Sequence, residues 1–192
     1  MFKTIFSLLF LLVFIRFYVF QPFTISGSSM EPSFFNEEYL IVDELSYRLG
    51  SPKRGDVVIF RHPEPACNSH IESGYLNKVF IQGPCSNYIK RVIGLPGETV
   101  IIRDGKVVVK SPGDKSGLTL NEDYIAKNIP TLGNQTVVLG DDEYFVLGDN
   151  RNPNASSDSR EWGVLPKSHI IGKALIVLLP PDKFGIVKKV EY

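Results

Sequence analysis

Residues 88–110 read YIKRVIGLPGETVIIRDGKVVVK, from Tyr88 to Lys110, and they decide the fold. Three short runs rich in Val and Ile are separated by Leu95-Pro96-Gly97 and by Asp104-Gly105. Such runs predict strands over Ile89–Ile93, Thr99–Arg103 and Lys106–Lys110. Asp104-Gly105 is the two-residue signal for a type I′ hairpin, because both central residues of that turn need positive φ. Similar runs occur at Tyr39–Leu45, Asp56–Arg61, Glu143–Leu147 and Ile170–Leu178. Helical signals are confined to short turns near Ser46–Leu49 and Leu120–Asn128. Two stretches, His62–Asn87 and Ser111–Val137, read as loops or insertions. The expected domain is mainly antiparallel β with irregular connections.

The N-terminus follows a different pattern. Ile5 to Phe20 reads IFSLLFLLVFIRFYVF, interrupted only by Ser7 and Arg16. With Thr4 the run is near the lower limit of length for a bilayer span. Arg16 lies near its end, where a long side chain snorkels to the headgroups. The run has no polar face for a soluble helix. It is too long, and leads into Gln21-Pro22-Phe23 without a small-residue site, for a cleaved leader. It reads as an uncleaved transmembrane helix. The expected organisation is an anchor over residues 1–21 and an extracytoplasmic β domain over 22–192. Lys3 and the α-amino group place the short tail in the cytoplasm. A single pass through the cell (plasma or inner) membrane follows, with the lipid bilayer as a partner.

The 192 residues carry 21 basic and 21 acidic side chains, so a nucleic-acid partner is not expected. Charged residues at 22% and apolar residues at 43% describe a globular chain. Cys67 and Cys85 flank one exported loop and are a disulfide candidate. His62 and His70 lack zinc-ligand spacing, so neither a metal nor a cofactor is expected. The chain is read as a monomer.

Ser29 lies in Ser26-Gly27-Ser28-Ser29-Met30-Glu31-Pro32, a tight non-helical turn by composition. A serine needs a base to become a nucleophile. His62, His70 and His169 stand in no recognisable triad motif. Lysine serves only when burial lowers its pKa. Lys90 shares a strand face with Tyr88 and Val92, while Arg91 points the other way, toward a carboxylate. Either Lys90 is desolvated and basic or it is an ordinary edge-strand lysine. A polar cluster, Gly148-Asp149-Asn150-Arg151 and Ser156-Ser157-Asp158-Ser159-Arg160, is either a solvated turn or a brace for a site.

These pieces together resemble bacterial type I signal peptidases, the leader peptidase family with a serine/lysine dyad, from the anchor to about Lys173. The matching segments are IRFYVFQPF, SGSSMEPSF, RGDVVIF, YIKRVIGLPGE and GDNR…SSDSREWGVLP, in family order. The resemblance implies a serine endopeptidase acting on signal-peptide-bearing preproteins, with Ser29 as nucleophile and Lys90 as base. The N–H of Ser29 would serve the oxyanion, and Ser156 would orient the amine. Asp149, Asp158 and Arg160 would support the site. Phe23, Ile25, Met30 and Ile89 would line apolar subsites for the −1 and −3 residues. Gly27 stands where some members carry a serine, and Asn152-Pro153-Asn154-Ala155 lengthens the polar cluster. Phe34, Phe35 and Trp162 would either dip into lipid or be core aromatics. An organelle-membrane processing peptidase of the same superfamily and an inactive binding domain are the alternatives. A self-cleaving repressor would need an N-terminal DNA-binding module, which residues 1–20 cannot form.

Overall fold

The computed structural model describes residues 4–7, 20–63, 86–127 and 129–192. Two antiparallel sheets dominate. In chain order the strands are β1 (Phe20–Thr24), β2 (Tyr39–Asp43), β3 (Val57–Arg61), β4 (Asn87–Gly94), β5 (Thr99–Arg103), β6 (Lys106–Lys110), β7 (Leu118–Thr119), β8 (Gln135–Val138), β9 (Glu143–Leu147), β10 (Leu165–Pro166), β11 (Ile170–Leu179) and β12 (Gly185–Ile186). The larger sheet has the order β1-β2-β11-β3-β4-β9-β10, with β12 on β11, and the smaller is β7-β6-β5-β8. The helices are short: α1 (Leu45–Leu49) and α2 (Ser159–Trp162).

Asp104 and Gly105 sit at φ 52° and 75°. The β5–β6 hairpin therefore turns as its sequence predicts, with Arg103 paired to Lys106. Alternation builds the core of the larger sheet. Val57 and Ile59 join Ile25, Met30, Leu40, Val42 and Ile89 in one buried cluster, while Val58 and Phe60 join Val92, Tyr144, Val146 and Leu165 in another. A third cluster fills the space between the sheets, where Ile93, Phe145 and Leu147 meet Val100, Ile102, Val107 and Val109.

Several sequence expectations are corrected. The stretch Ser111–Val137, read as a loop, contains β7 and the start of β8. Residues 120–127 form turns rather than a helix, and the carboxylate of Glu122 among them pairs with Arg151, while Asn128 lies outside the described residues. Of the two readings open for Phe34, the core one holds, at 3% exposed. Most of the run read as an anchor, residues 1–3 and 8–19, lies outside the described residues, and so does the loop from 64 to 85 with Cys67 and Cys85. Residues 4–7 are helical, and among the described residues no helix is long and apolar enough to cross a membrane. Phe20 and Gln21, read as the end of that run, are strand residues paired with Asp43 and Val42.

Candidate active site

Ser29 stands at the start of a turn over residues 29–33, between β1 and β2. The Ile25 N–H donates to the Glu38 carbonyl at 2.9 Å, and the Gly27 N–H donates to Asn36 Oδ1 at 2.8 Å. Inside the turn, Glu31 N–H donates to Ser28 O and Phe34 N–H to Met30 O. Ile25 and Met30 bury their side chains and pin the segment at both ends, while Ser29 stays partly exposed.

Lys90 reaches this turn from β4. The β4–β9 ladder begins at Arg91 and Leu147, so Lys90 is the first residue of β4 beyond it. Its Nζ lies 2.7 Å from Ser29 Oγ and 2.9 Å from the Ile89 carbonyl. The side chain is 2% exposed. Burial lowers its pKa from 10.5 to about 8, against the opposing pull of the Asp158 and Asp149 carboxylates. Roughly a tenth of such an amine is neutral at pH 7, against far less than a hundredth for a free lysine.

Ion pairs frame the pair. Arg91 Nε and Nη2 donate to Asp149 Oδ1 and Oδ2 at 2.8 and 2.5 Å, and all of these groups are buried. Asp158 caps α2 and accepts from both Arg160 Nε and Nη2 at 2.8 Å, from Gly148 N–H at 3.0 Å and from Ser156 Oγ at 2.8 Å. Burial pushes the Asp158 carboxyl up, but Arg160 and the other donors outweigh it and hold the group below the usual carboxylate range. A side chain at Gly148 would overlap both the Ser29 carbonyl and the Ser156 hydroxyl.

A serine hydroxyl hydrogen-bonded to a buried lysine of lowered pKa has a potential base in reach. The family described as "Signal peptidase, peptidase S26" matches residues 1–179 of this chain. The chain belongs to the signal peptidase family. Its reaction is accordingly the removal of signal peptides from preproteins by a serine peptidase. A probable signal peptidase I-2 of Synechocystis sp. is 35% identical over 187 residues, covering 96% of this chain and 75% of that protein. A signal peptidase I of Leptolyngbya laminosa is 37% identical, covering 89% and 74%. A chloroplastic thylakoidal processing peptidase 1 of Arabidopsis thaliana is 32% identical, covering 85% and 43%.

In this signal peptidase Ser29 and Lys90 meet directly. Asp149 and Asp158, in ion pairs with Arg91 and Arg160, stand around them; Ser156, expected to orient the Lys90 amine, instead donates to Asp158, and among the described residues it makes no bond to Lys90. Ile25, Met30 and Ile89 share one buried cluster, with Phe23 partly buried against it. The histidines stand apart. His169 is buried with Nδ1 3.3 Å from the Arg61 carbonyl, and His62 packs between Tyr88 and Trp162. His70 lies outside the described residues. Gly148 and Asn150 were not singled out from the sequence, although both stand in the quoted GDNR segment. Asn150 N–H donates to Ser29 O, and its Nδ2 to Ser28 O, both at 3.0 Å.

Proposed function

We propose that this signal peptidase cleaves preproteins through a Ser29/Lys90 dyad. Neutral Lys90 takes the Ser29 proton, and Ser29 attacks the carbonyl of the −1 residue. The oxyanion of the tetrahedral intermediate takes a hydrogen bond from the Ser29 N–H. Protonated Lys90 gives its proton to the leaving amine, and the mature protein departs. Lys90 then activates a water that hydrolyses the acyl-enzyme. Ser156, Asp149, Asp158 and Arg160 keep the frame rigid. The observation that carries this reading is the 2.7 Å contact between the Ser29 hydroxyl and an amine that is 2% exposed.

Phe23, partly buried, with Ile25, Met30 and Ile89 packed behind it, supports apolar subsites for the −1 and −3 side chains, where small residues are favoured. The apolar N-terminal run anchors the enzyme in the cell membrane, with the β domain outside the cytoplasm. Ser29 follows Phe20 by nine residues, so it stands at most about 30 Å from the membrane exit. A preprotein held in the same bilayer meets the site at a fixed height and a raised effective concentration. The likeness to a thylakoidal peptidase supports a second reading, an organelle-membrane processing peptidase with the same chemistry. Incubating detergent-solubilised enzyme with a preprotein tests the proposal. Ser29→Ala should abolish cleavage and leave the fold intact, whereas Ser28→Ala should keep most activity. Full activity in Ser29→Ala ends it.

A further inference from the structure

We infer that Asn150 is a positioning residue that aims the Ser29 N–H at the oxyanion. This rests on the Ser29/Lys90 reading and adds a residue to it. The Ser28–Ser29 peptide is trans, so its C=O and N–H point in opposite directions within one plane. Whatever holds the Ser28 carbonyl therefore sets the direction of the Ser29 N–H. Asn150 Nδ2 holds that carbonyl at 3.0 Å, beside the Glu31 N–H of the turn itself at 3.1 Å. The next peptide plane is fixed by the same residue, because the Asn150 N–H donates to the Ser29 carbonyl at 3.0 Å. The Glu31 bond is local to the turn, whereas Asn150 ties two consecutive planes around the nucleophile to a segment 121 positions away from Ser29 in the chain. Among the described residues the Ser29 N–H donates to no protein acceptor and is left for substrate.

The amide of Asn150 has one orientation. Its Oδ1 accepts from Asn152 N–H at 3.3 Å and from Asn152 Nδ2 at 2.9 Å, so Nδ2 is the atom that faces Ser28. Asn152 opens the Asn152-Pro153-Asn154-Ala155 segment, so this loop supplies the group that sets the amide. Asn150 makes no bond to Lys90, whose amine bonds Ser29 and Ile89. Its effect is therefore on the oxyanion donor and separable from the base.

The experiment is steady-state cleavage of a preprotein peptide by the full-length solubilised enzyme, with wild type, Asn150→Ala and Asn150→Asp compared across pH. A misaimed donor loses part of what a missing one loses, so kcat should fall about tenfold to a hundredfold with KM nearly unchanged. The acidic limb of the Asn150→Ala profile should stay where it is in wild type, because Lys90 keeps its surroundings. Asn150→Asp keeps the size of the side chain but presents an oxygen to the Ser28 carbonyl, and it should lose at least as much. Thermal melting of each variant checks folding, and the isosteric Asp variant decides if the Ala variant fails to fold. Wild-type kcat in folded Asn150→Asp overturns the inference, as does a change confined to KM. In Asn150→Ala, which adds no charge, an acidic limb that moves up with full rate recovered at high pH also overturns it, since that outcome means Asn150 acts by keeping Lys90 dry. Activity in Ser29→Ala or Lys90→Arg, assayed alongside, would instead remove the dyad itself.

Discussion

Lys90 and Arg91 are consecutive residues of β4, each 2% exposed, with charged groups on opposite sides of the strand. The Arg91 guanidinium meets a carboxylate, Asp149, with two parallel hydrogen bonds. The Lys90 amine meets a hydroxyl and a carbonyl, and among the described residues no counter-ion touches it. One cation is thus compensated and kept permanently charged. The other is buried without direct compensation, which is what lowers its pKa. Two adjacent basic residues in one strand acquire different chemistry from what each faces.

That difference makes Lys90 costly to the fold. Its pKa falls from 10.5 to about 8 because burial penalises the charged form. Between these values the unfolded chain binds more protons than the folded one, so stability rises with pH across about 8 to 10.5. Below that window the penalty is fully present and amounts to about 3 kcal/mol. Lys90→Met removes it, at the loss of the bonds to Ser29 and Ile89. The variant should be inactive, yet more stable than wild type in urea at pH 7, with the advantage shrinking toward pH 10.5. A stability difference that does not vary with pH would show that the amine is not desolvated.

Asp149 behaves in the opposite way. Removing its charge leaves the Arg91 guanidinium buried and unpaired, and breaking such a pair costs about 3–5 kcal/mol. Asp149→Asn should lower the urea midpoint accordingly and reduce activity through the loosened frame. A midpoint within error of wild type would mean that Arg91 finds another partner.

Gly148→Ala tests the packing of the turn. The new Cβ would overlap the Ser29 carbonyl and lie 2.7 Å from Ser156 Cβ. The carbonyl is backbone, so the turn must move and take Ser29 Oγ away from Lys90. Cleavage should fall at least about a hundredfold, with a smaller loss of stability. Near-normal cleavage would show that the turn tolerates the shift.

The parts of this molecule that depend on local pattern were legible in the sequence. Thr99–Arg103, Lys106–Lys110 and Glu143–Leu147 are strands with the predicted ends, since alternation and turn residues bound them closely. β8 was missed because Gln135–Val138 has only two apolar residues and alternates in burial at a sheet edge. β1 was missed because its first residue, Phe20, closes the apolar run, and Gln21-Pro22 then breaks the strand pattern. At the site, Ser29 and Lys90 were reached through chemistry and a resemblance, but 61 positions separate them, and only the fold brings them within 2.7 Å. The partner of Arg91 was expected to be a carboxylate, but which one depends on β9 lying beside β4. Gly148 and Asn150 act through backbone contacts with Ser28 and Ser29, and no side-chain motif announces such contacts.

The most direct test of the central claim is kcat/KM against pH from about 5 to 11 on a preprotein peptide, because its acidic limb reports the free enzyme's base. A Lys90 base at about 8 predicts a rate that climbs tenfold per pH unit below that value and levels above it. Lys90→Arg, whose guanidinium stays protonated, should show no measurable rate at any pH. A plateau already reached by pH 6, or normal cleavage by Lys90→Arg, would contradict the assignment of Lys90 as the base for Ser29.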